Sequence, residues 1–168
     1  MIMPTLRFIA FCIAVAISYG ILHDLVTAHI AVEYFTIHHE RLIESTSPLA
    51  MAVLWGVVAT WWVGLIGGIL LVSANLVGRW PRLEWGWLRG LVVRATVISL
   101  GFAMLLLASL MVLTDRVPIG ERGPTYEKDR RLVAVAVTHG ASYTMAVVSI
   151  LAQSTLILVK RKRMNLIT

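Results

Sequence analysis

The sequence predicts an all-α membrane protein: an antiparallel bundle of four transmembrane helices with a polar, outward-facing loop segment. Three observations support this fold class. Of the 168 residues, 58% are hydrophobic, whereas soluble domains are only about half apolar. The apolar residues are concentrated in four long runs, and the basic residues cluster between particular runs. Because little chain is left over, we expect one integral membrane domain covering residues 1–168.

The four spans follow from apolar runs of about 18 residues or more, the length at which a helix crosses a bilayer. Each run can cross a hydrocarbon core about 30 Å thick at about 1.5 Å per residue. We place the spans at about 6–24, 48–77, 88–113 and 132–159.

The ends of these spans carry boundary signals. The first span closes at His23 and Asp24, where ionisable residues begin. The second starts after "STSP", in which Pro48 suits the first turn of a helix. The third follows the loop Gly78–Trp87, whose tryptophans fit an aromatic belt at the membrane surface. The fourth ends in the basic run Lys160–Arg163.

The charge distribution predicts the orientation in the membrane. Of the chain's 15 Lys and Arg residues, nine fall on one predicted side with a single acid, Glu84, and six fall on the other side with eight acids. Short loops rich in Lys and Arg remain in the cytoplasm. We therefore expect a multi-pass protein with both termini in the cytoplasm and with the 23–47 and 114–131 loops facing outward.

The net charge of +6 is compatible with nucleic-acid binding when taken alone. The basic residues, however, border apolar spans instead of forming a patch on a soluble surface, so we predict the lipid bilayer as partner and no nucleic acid. The run Lys160–Arg163 is interpreted as an anchor that favours anionic lipid. A membrane-protein partner and a homo-oligomer are both left open.

A polar stretch directly follows the first span. Residues His23–Glu40 hold four of the five histidines and three of the nine acids, and the fifth histidine, His139, lies about two turns into the fourth span. All five fall on the predicted outward side. Metal sites in helix bundles are built from side chains on facing helices, and imidazole with carboxylate suits Zn or Fe. The single cysteine, Cys12, excludes an intramolecular disulfide and argues against a thiolate site.

Helical spacing divides this stretch into two faces. On a continuous helix, His29 and Glu33 would share one face, whereas His23 and His38 would share another with Thr27. Both sets cannot meet one ion unless the chain turns. The β-prone "EYFT" predicts a turn near residues 32–36, after which His38 could fold back toward His23.

The same stretch resembles a motif of small, functionally uncharacterised bacterial membrane proteins. The motif consists of His-Asp, a Thr three residues later, then Glu-Tyr-Phe-Thr and a His. The matching residues are His23, Asp24, Thr27, Glu33, Tyr34, Phe35, Thr36 and His38. The resemblance covers only residues 19–40. At His39 the motif has a proline and at His29 more often an arginine, which lowers the weight of both as ligands.

The resemblance implies a bacterial inner (cytoplasmic) membrane protein but no particular activity. It ranks the candidate residues, and with the spacing it predicts a metal site at the outer (periplasmic) face that holds Zn or Fe. The predicted ligands are His23, Asp24, His38 and His139. Glu33 is the candidate general base, which would take a proton from metal-bound water.

Whether the chain is an enzyme is left open. A metal site of this kind serves either a hydrolase or a redox protein, and neither GxSxG nor HExxH is present. One alternative is a non-catalytic accessory or scaffold protein in which the His/acid cluster is a structural polar network. Another is a component of an ion- or proton-coupled transporter, since histidine titrates near neutral pH.

Overall fold

The structure is a computed structural model that describes residues 2–40, 42–116 and 126–166. Within these ranges all regular secondary structure is helical. The helices are α1 (Ile2–Ile30), α2 (Glu33–Thr36), α3 (Pro48–Val58), α4 (Trp61–Leu76), α5 (Trp85–Arg116) and α6 (Tyr126–Asn165). The centre of the loop predicted over 114–131, residues 117–125, lies outside the described ranges.

Four segments are long and apolar enough to cross a membrane: Ile2–Ile30, Pro48–Leu76, Trp85–Thr114 and Asp129–Asn165. The predicted all-helical class with four long apolar helices is therefore confirmed. The first helix extends to Ile30, beyond the predicted end of the first span at about residue 24. The reason is that Thr27 and Ala28 continue its buried face past Asp24, so the helix remains packed for another one and a half turns.

The second apolar segment consists of two helices, although its sequence predicts a single span. The break falls between the end of α3 at Val58 and the start of α4 at Trp61. There the Thr60 hydroxyl donates a hydrogen bond to the carbonyl of Gly56 at 2.5 Å. Side chains that bond back onto the preceding turn bend helices, and here the bend places Thr60 beside α1.

Small residues bring α1 close to α3 and α4. A Cβ atom added to Gly20 would lie 2.5 Å from the carbonyl oxygen of Gly56, and one added to Gly64 would lie 2.6 Å from that of Cys12. Such distances leave no room for a side chain. The small-xxx-small patterns, which favour close approach of membrane helices, therefore mark the contact surfaces of these helices.

One residue of the basic run at the end of α6 is buried inside the protein. Arg161 is fully buried and donates hydrogen bonds to the carbonyls of Ala74 at 2.6 Å, Trp80 at 2.9 Å and Pro81 at 3.0 Å. The interpretation of Lys160–Arg163 as an anchor for anionic lipid stays a prediction, but Arg161 itself bonds carbonyls of the protein. The carbonyls at the end of α4 and in the loop after it lack helical partners, and the guanidinium supplies several donors at once.

The packing of the long helices determines where the candidate site lies. α1 lies against α3, α4 and α5, while α6 lies against α4 and α5. α1 and α6 meet directly over a short stretch, and α2 packs across both of them. His23 and Asp24 on α1 and His139 on α6 belong to this meeting point.

Candidate metal centre

One face of α1 carries polar residues into the interior. His23, Asp24 and Thr27 are 2%, 5% and 0% exposed, and their spacing continues the buried face that begins at Gly20 and includes Ala28. Buried polar groups need hydrogen-bond partners. The Thr27 hydroxyl finds one in its own helix, the His23 carbonyl at 3.2 Å, whereas the other two side chains depend on α6.

α6 supplies His139, which is 9% exposed. Its ring centroid lies 4.6 Å from that of His23, in an edge-to-face arrangement. The contact between His139 and the 23–40 stretch that the shared membrane side led us to expect is therefore observed. Nδ1 of His139 lies 2.9 Å from the carbonyl oxygen of Val135, one turn earlier in the same helix.

A single carboxylate oxygen faces both imidazoles. Oδ1 of Asp24 lies 3.0 Å from Nδ1 of His23 and 3.1 Å from Nε2 of His139. On its other side, Nε2 of His23 lies 3.2 Å from the Ser142 hydroxyl. That hydroxyl accepts a hydrogen bond from Tyr19 at 3.0 Å, so a continuous polar chain joins α1 to α6.

The protonation of His139 is constrained by its two neighbours. A carbonyl can only accept, so Nδ1 must carry a proton that it donates to Val135. In a neutral ring Nε2 is then a lone pair, and that lone pair faces Oδ1 of Asp24 at 3.1 Å. Two lone pairs repel each other at this distance. The arrangement therefore requires a proton shared between His139 and Asp24, or a cation bound by both.

The geometry also suits a metal ion. Ligand atoms of His23, Asp24 and His139 all lie within 4.8 Å of one another, and the three residues are buried. Two donors with metal bonds of about 2.0–2.2 Å lie about 3.3–3.6 Å apart in a tetrahedral site, so the observed 3.0 and 3.1 Å would have to lengthen by a few tenths of an ångström. The group could therefore hold a metal ion with little movement of its side chains.

The outer ring atoms of both histidines are held in the way that metal-binding imidazoles usually are. A ligating histidine donates its remaining N–H to a carbonyl, a carboxylate or water, which orients the ring. The Val135 carbonyl lies beside Nδ1 of His139, and the Ser142 hydroxyl lies beside Nε2 of His23, where each can accept such a hydrogen bond. Two imidazoles with one carboxylate form a donor set that Zn and Fe both accept.

The "EYFTIHH" segment covers this group with aromatic rings. The Tyr34 and Phe35 rings lie 4.4 and 5.5 Å from the ring of His139. The His39 ring packs 4.6 Å from that of Trp55, and its Nδ1 lies 2.8 Å from the carbonyl oxygen of Tyr34. Burial raises the pKa of the Tyr34 hydroxyl, so this side chain remains a neutral cover beside His139.

The structure does not bring His38 to the group, although His38 was predicted as a ligand. α2 ends at Thr36 and the chain then bends, so that His39 packs against Trp55 while His38 is exposed. The chain breaks close to the expected position, at Ala31–Val32, but residues Glu33–Thr36, where the turn was predicted, form α2. The bend after α2 directs the neighbour of His38 inward.

Glu33 and His29 also lie outside the three-residue group. Glu33 is the first residue of α2 and is partly exposed. His29 is exposed, and its Nδ1 lies 2.6 Å from the Leu25 carbonyl oxygen. The lower weight that the motif gave to His29 is consistent with its position.

Sequence reasoning missed Tyr19 as part of the site. The signal for it was available, because Tyr19 lies four residues before His23 and Ser142 lies three residues after His139, spacings that place side chains on one helical face. The role of Val135 could not be found in this way, since it acts through its backbone carbonyl.

Comparison of the chain with protein-family models, curated proteins and solved structures finds no match. A function therefore has to be argued from the geometry around His23, Asp24 and His139. That geometry supports two kinds of chemistry: binding of a cation by three donors, and sharing of a proton between a carboxylate and an imidazole.

Proposed function

We propose that the protein is a membrane-embedded metal-binding protein that holds Zn²⁺ or Fe²⁺ through His23, Asp24 and His139. The observation that carries the proposal is the approach of Nε2 of His139 to Oδ1 of Asp24 while Nδ1 is committed to a carbonyl. A cation bound by both atoms removes the repulsion and neutralises the buried carboxylate. The proposal drops His38 from the ligand set.

The placement in a membrane rests on the four long apolar segments. Gly20 faces Gly56, whereas Cys12 faces Gly64, so contacts run in opposite directions along the two segments, which supports an antiparallel bundle. The basic bias of the opposite end supports a location of the His23–Asp24–His139 group at the periplasmic side of a bacterial inner membrane, with both termini in the cytoplasm.

Three protein ligands leave a coordination position for water or substrate, as in catalytic zinc sites. A Zn²⁺ ion there would lower the pKa of its bound water to about 7 and make hydrolysis possible. An Fe²⁺ ion in a two-His, one-carboxylate set would instead serve redox chemistry. In the hydrolytic version Glu33, at the start of α2, is the candidate general base.

A second candidate is a non-catalytic protein in which the cluster is a structural polar network. The direct distances of 3.0 and 3.1 Å among the three side chains favour it. In this reading His139 carries both ring protons and forms an ion pair with Asp24, and no metal is bound. Buried pairs of this kind can fix the relative positions of two helices.

Metal content separates the two candidates. The protein would be purified in detergent without chelator, loaded with Zn²⁺ or Fe²⁺, desalted and analysed for bound metal. We expect about one ion per chain in the wild type and a loss of most of it in Asp24→Ala and His139→Ala, because each removes one of three donors.

His38→Ala is the matched control, since it removes an exposed histidine outside the group. It should retain the wild-type metal content. Wild-type protein that holds less than about one tenth of an ion per chain after loading would exclude the metal site and leave the structural network. If His38→Ala and His139→Ala lost equal amounts of bound metal, the metal would not be held by His23, Asp24 and His139 alone.

A further inference from the structure

A cavity of about 170 Å³ extends between the helices away from the metal-binding group. Its lining runs along α6 from His139 to Gln153, two residues that lie about 21 Å apart along the helix axis. Much of the wall between them is apolar. Apolar lining residues include Val15, Val63, Leu71, Val92 and Ile150.

Gln153 lines this cavity and has an unused acceptor. The residue is 7% exposed, and its Nε2 donates to the Ser149 hydroxyl at 3.0 Å. Its Oε1 is buried and has no hydrogen-bond partner among the residues that the structure describes. An unpaired buried amide oxygen is costly, so its position on a cavity wall indicates that a donor comes from a molecule inside the cavity.

Most of the side chains around the cavity are apolar, as in sites that bind organic molecules. Cys12, Leu71 and Val92 line the cavity and belong to the apolar cluster that also contains Ile157, one turn beyond Gln153. The hydroxyl residues Thr96, Ser99 and Ser149 also line the cavity, and a mainly apolar pocket with a few polar groups is typical of a small-molecule site.

We propose that the Gln153 end of this cavity binds a neutral, membrane-soluble molecule with an apolar body and one hydroxyl or N–H group that donates to Oε1 of Gln153. His23, Asp24 and His139 line the other end of the same cavity, and binding at Gln153 does not require that a metal be bound there. It adds a ligand-binding function to the protein whichever way the metal question is decided.

The test uses photolabelling of the purified wild-type protein in detergent with a diazirine-bearing octanol. Two competitors are compared after correction for their partition into micelles: n-octanol, which has a hydroxyl donor, and its methyl ether, which has the same apolar body without a donor. We expect label on peptides that line the cavity and about fivefold stronger competition by octanol, the gain that one neutral hydrogen bond provides.

Gln153→Met keeps the length of the side chain but removes the acceptor, so it should remove the difference between octanol and ether. Thr155→Val, on an exposed position of the same helix, should leave the difference unchanged. Equal competition by octanol and ether in the wild type, or label found only outside the cavity-lining peptides, would overturn the proposal. Because that comparison needs no variant, a misfolded Gln153→Met does not affect it.

Discussion

Nε2 of His139 lies 3.1 Å from Oδ1 of Asp24, although 115 residues separate the two along the chain. The contact joins the first apolar helix to the last at the point where α1 and α6 meet. His23 touches the same carboxylate oxygen at 3.0 Å, so the three side chains form one unit. A substitution at any of the three, or at a group that orients them, should therefore alter the positions of the others.

Tyr19→Phe tests the hydrogen-bond chain behind His23. The substitution removes the hydroxyl that donates to Ser142 at 3.0 Å, and with it the support of the Ser142–His23 contact. Loss of the group bonded directly to a ligand, here Ser142, typically costs about 10-fold or more in metal affinity, so loss of the support behind it should cost up to about 10-fold. The affinity would be measured by competition for Zn²⁺ with a chromogenic chelator.

Tyr143→Phe is the control for this change. Its hydroxyl contacts the carbonyl of Ala59 at 3.4 Å and neither histidine, so the zinc affinity should change little. An equal loss in both variants would show that Tyr19 acts only through general packing.

Gly20→Ala tests the close approach of α1 and α3. The new Cβ would lie 2.5 Å from the carbonyl oxygen of Gly56, and because that atom is backbone, the helices must separate. We expect a loss of about 1–3 kcal/mol in unfolding free energy, the usual cost of overpacking. It would be measured by thermal unfolding in detergent.

Gly101→Ala on α5 is the matched control. Its Cβ would meet no atom within 4 Å of the described structure, and alanine favours a helix by about 0.5–1 kcal/mol over glycine. It should leave the melting temperature unchanged or raise it. A Gly20→Ala protein that is as stable as the wild type would contradict the observed helix contact.

Arg161→Gln tests the buried arginine at the end of α6. The shorter amide cannot reach all three carbonyls that the guanidinium bonds, and each buried carbonyl left unpaired costs about 1–3 kcal/mol. We therefore expect a clear drop in melting temperature. Arg163→Gln, two residues later and exposed, should have little effect. Equal drops in melting temperature in Arg161→Gln and Arg163→Gln would contradict a specific structural role for Arg161.

The orientation in the membrane is tested by cysteine labelling in intact cells, in a Cys12→Ala background. Thr46 follows α2 and Asn165 ends α6, and both are exposed. We expect an impermeant maleimide to modify Thr46→Cys and not Asn165→Cys, since short loops and ends rich in Lys and Arg tend to stay in the cytoplasm. Modification of Asn165→Cys alone would reverse the topology.

Much of the fold could be predicted because apolar length and helix spacing are local properties of the chain. The four apolar helices follow from their runs, and the meeting of His23 and His139 follows from their position on one predicted side. The buried face through Asp24 and Thr27 follows from spacings of three and four residues.

The remaining features depend on packing that the sequence does not show. His38 lies outside the three-residue group because α2 ends after four residues and the neighbouring His39 then packs against Phe35 and Trp55. Arg161 belongs to a run with the composition of a membrane anchor, yet it is buried because carbonyls of the chain after α4 lie within its reach. Neither outcome has a signal in the local pattern.

X-ray absorption at the zinc edge, on protein loaded with Zn²⁺, tests the proposed centre most directly. The account predicts a first shell of nitrogen and oxygen at about 2.0–2.2 Å, without sulfur, and outer-shell scattering from two imidazoles. His38→Ala should give the same spectrum, and His139→Ala should lose one imidazole or the metal itself. A shell with three or four imidazoles, or a spectrum that His139→Ala leaves unchanged, would contradict a site built from His23, Asp24 and His139.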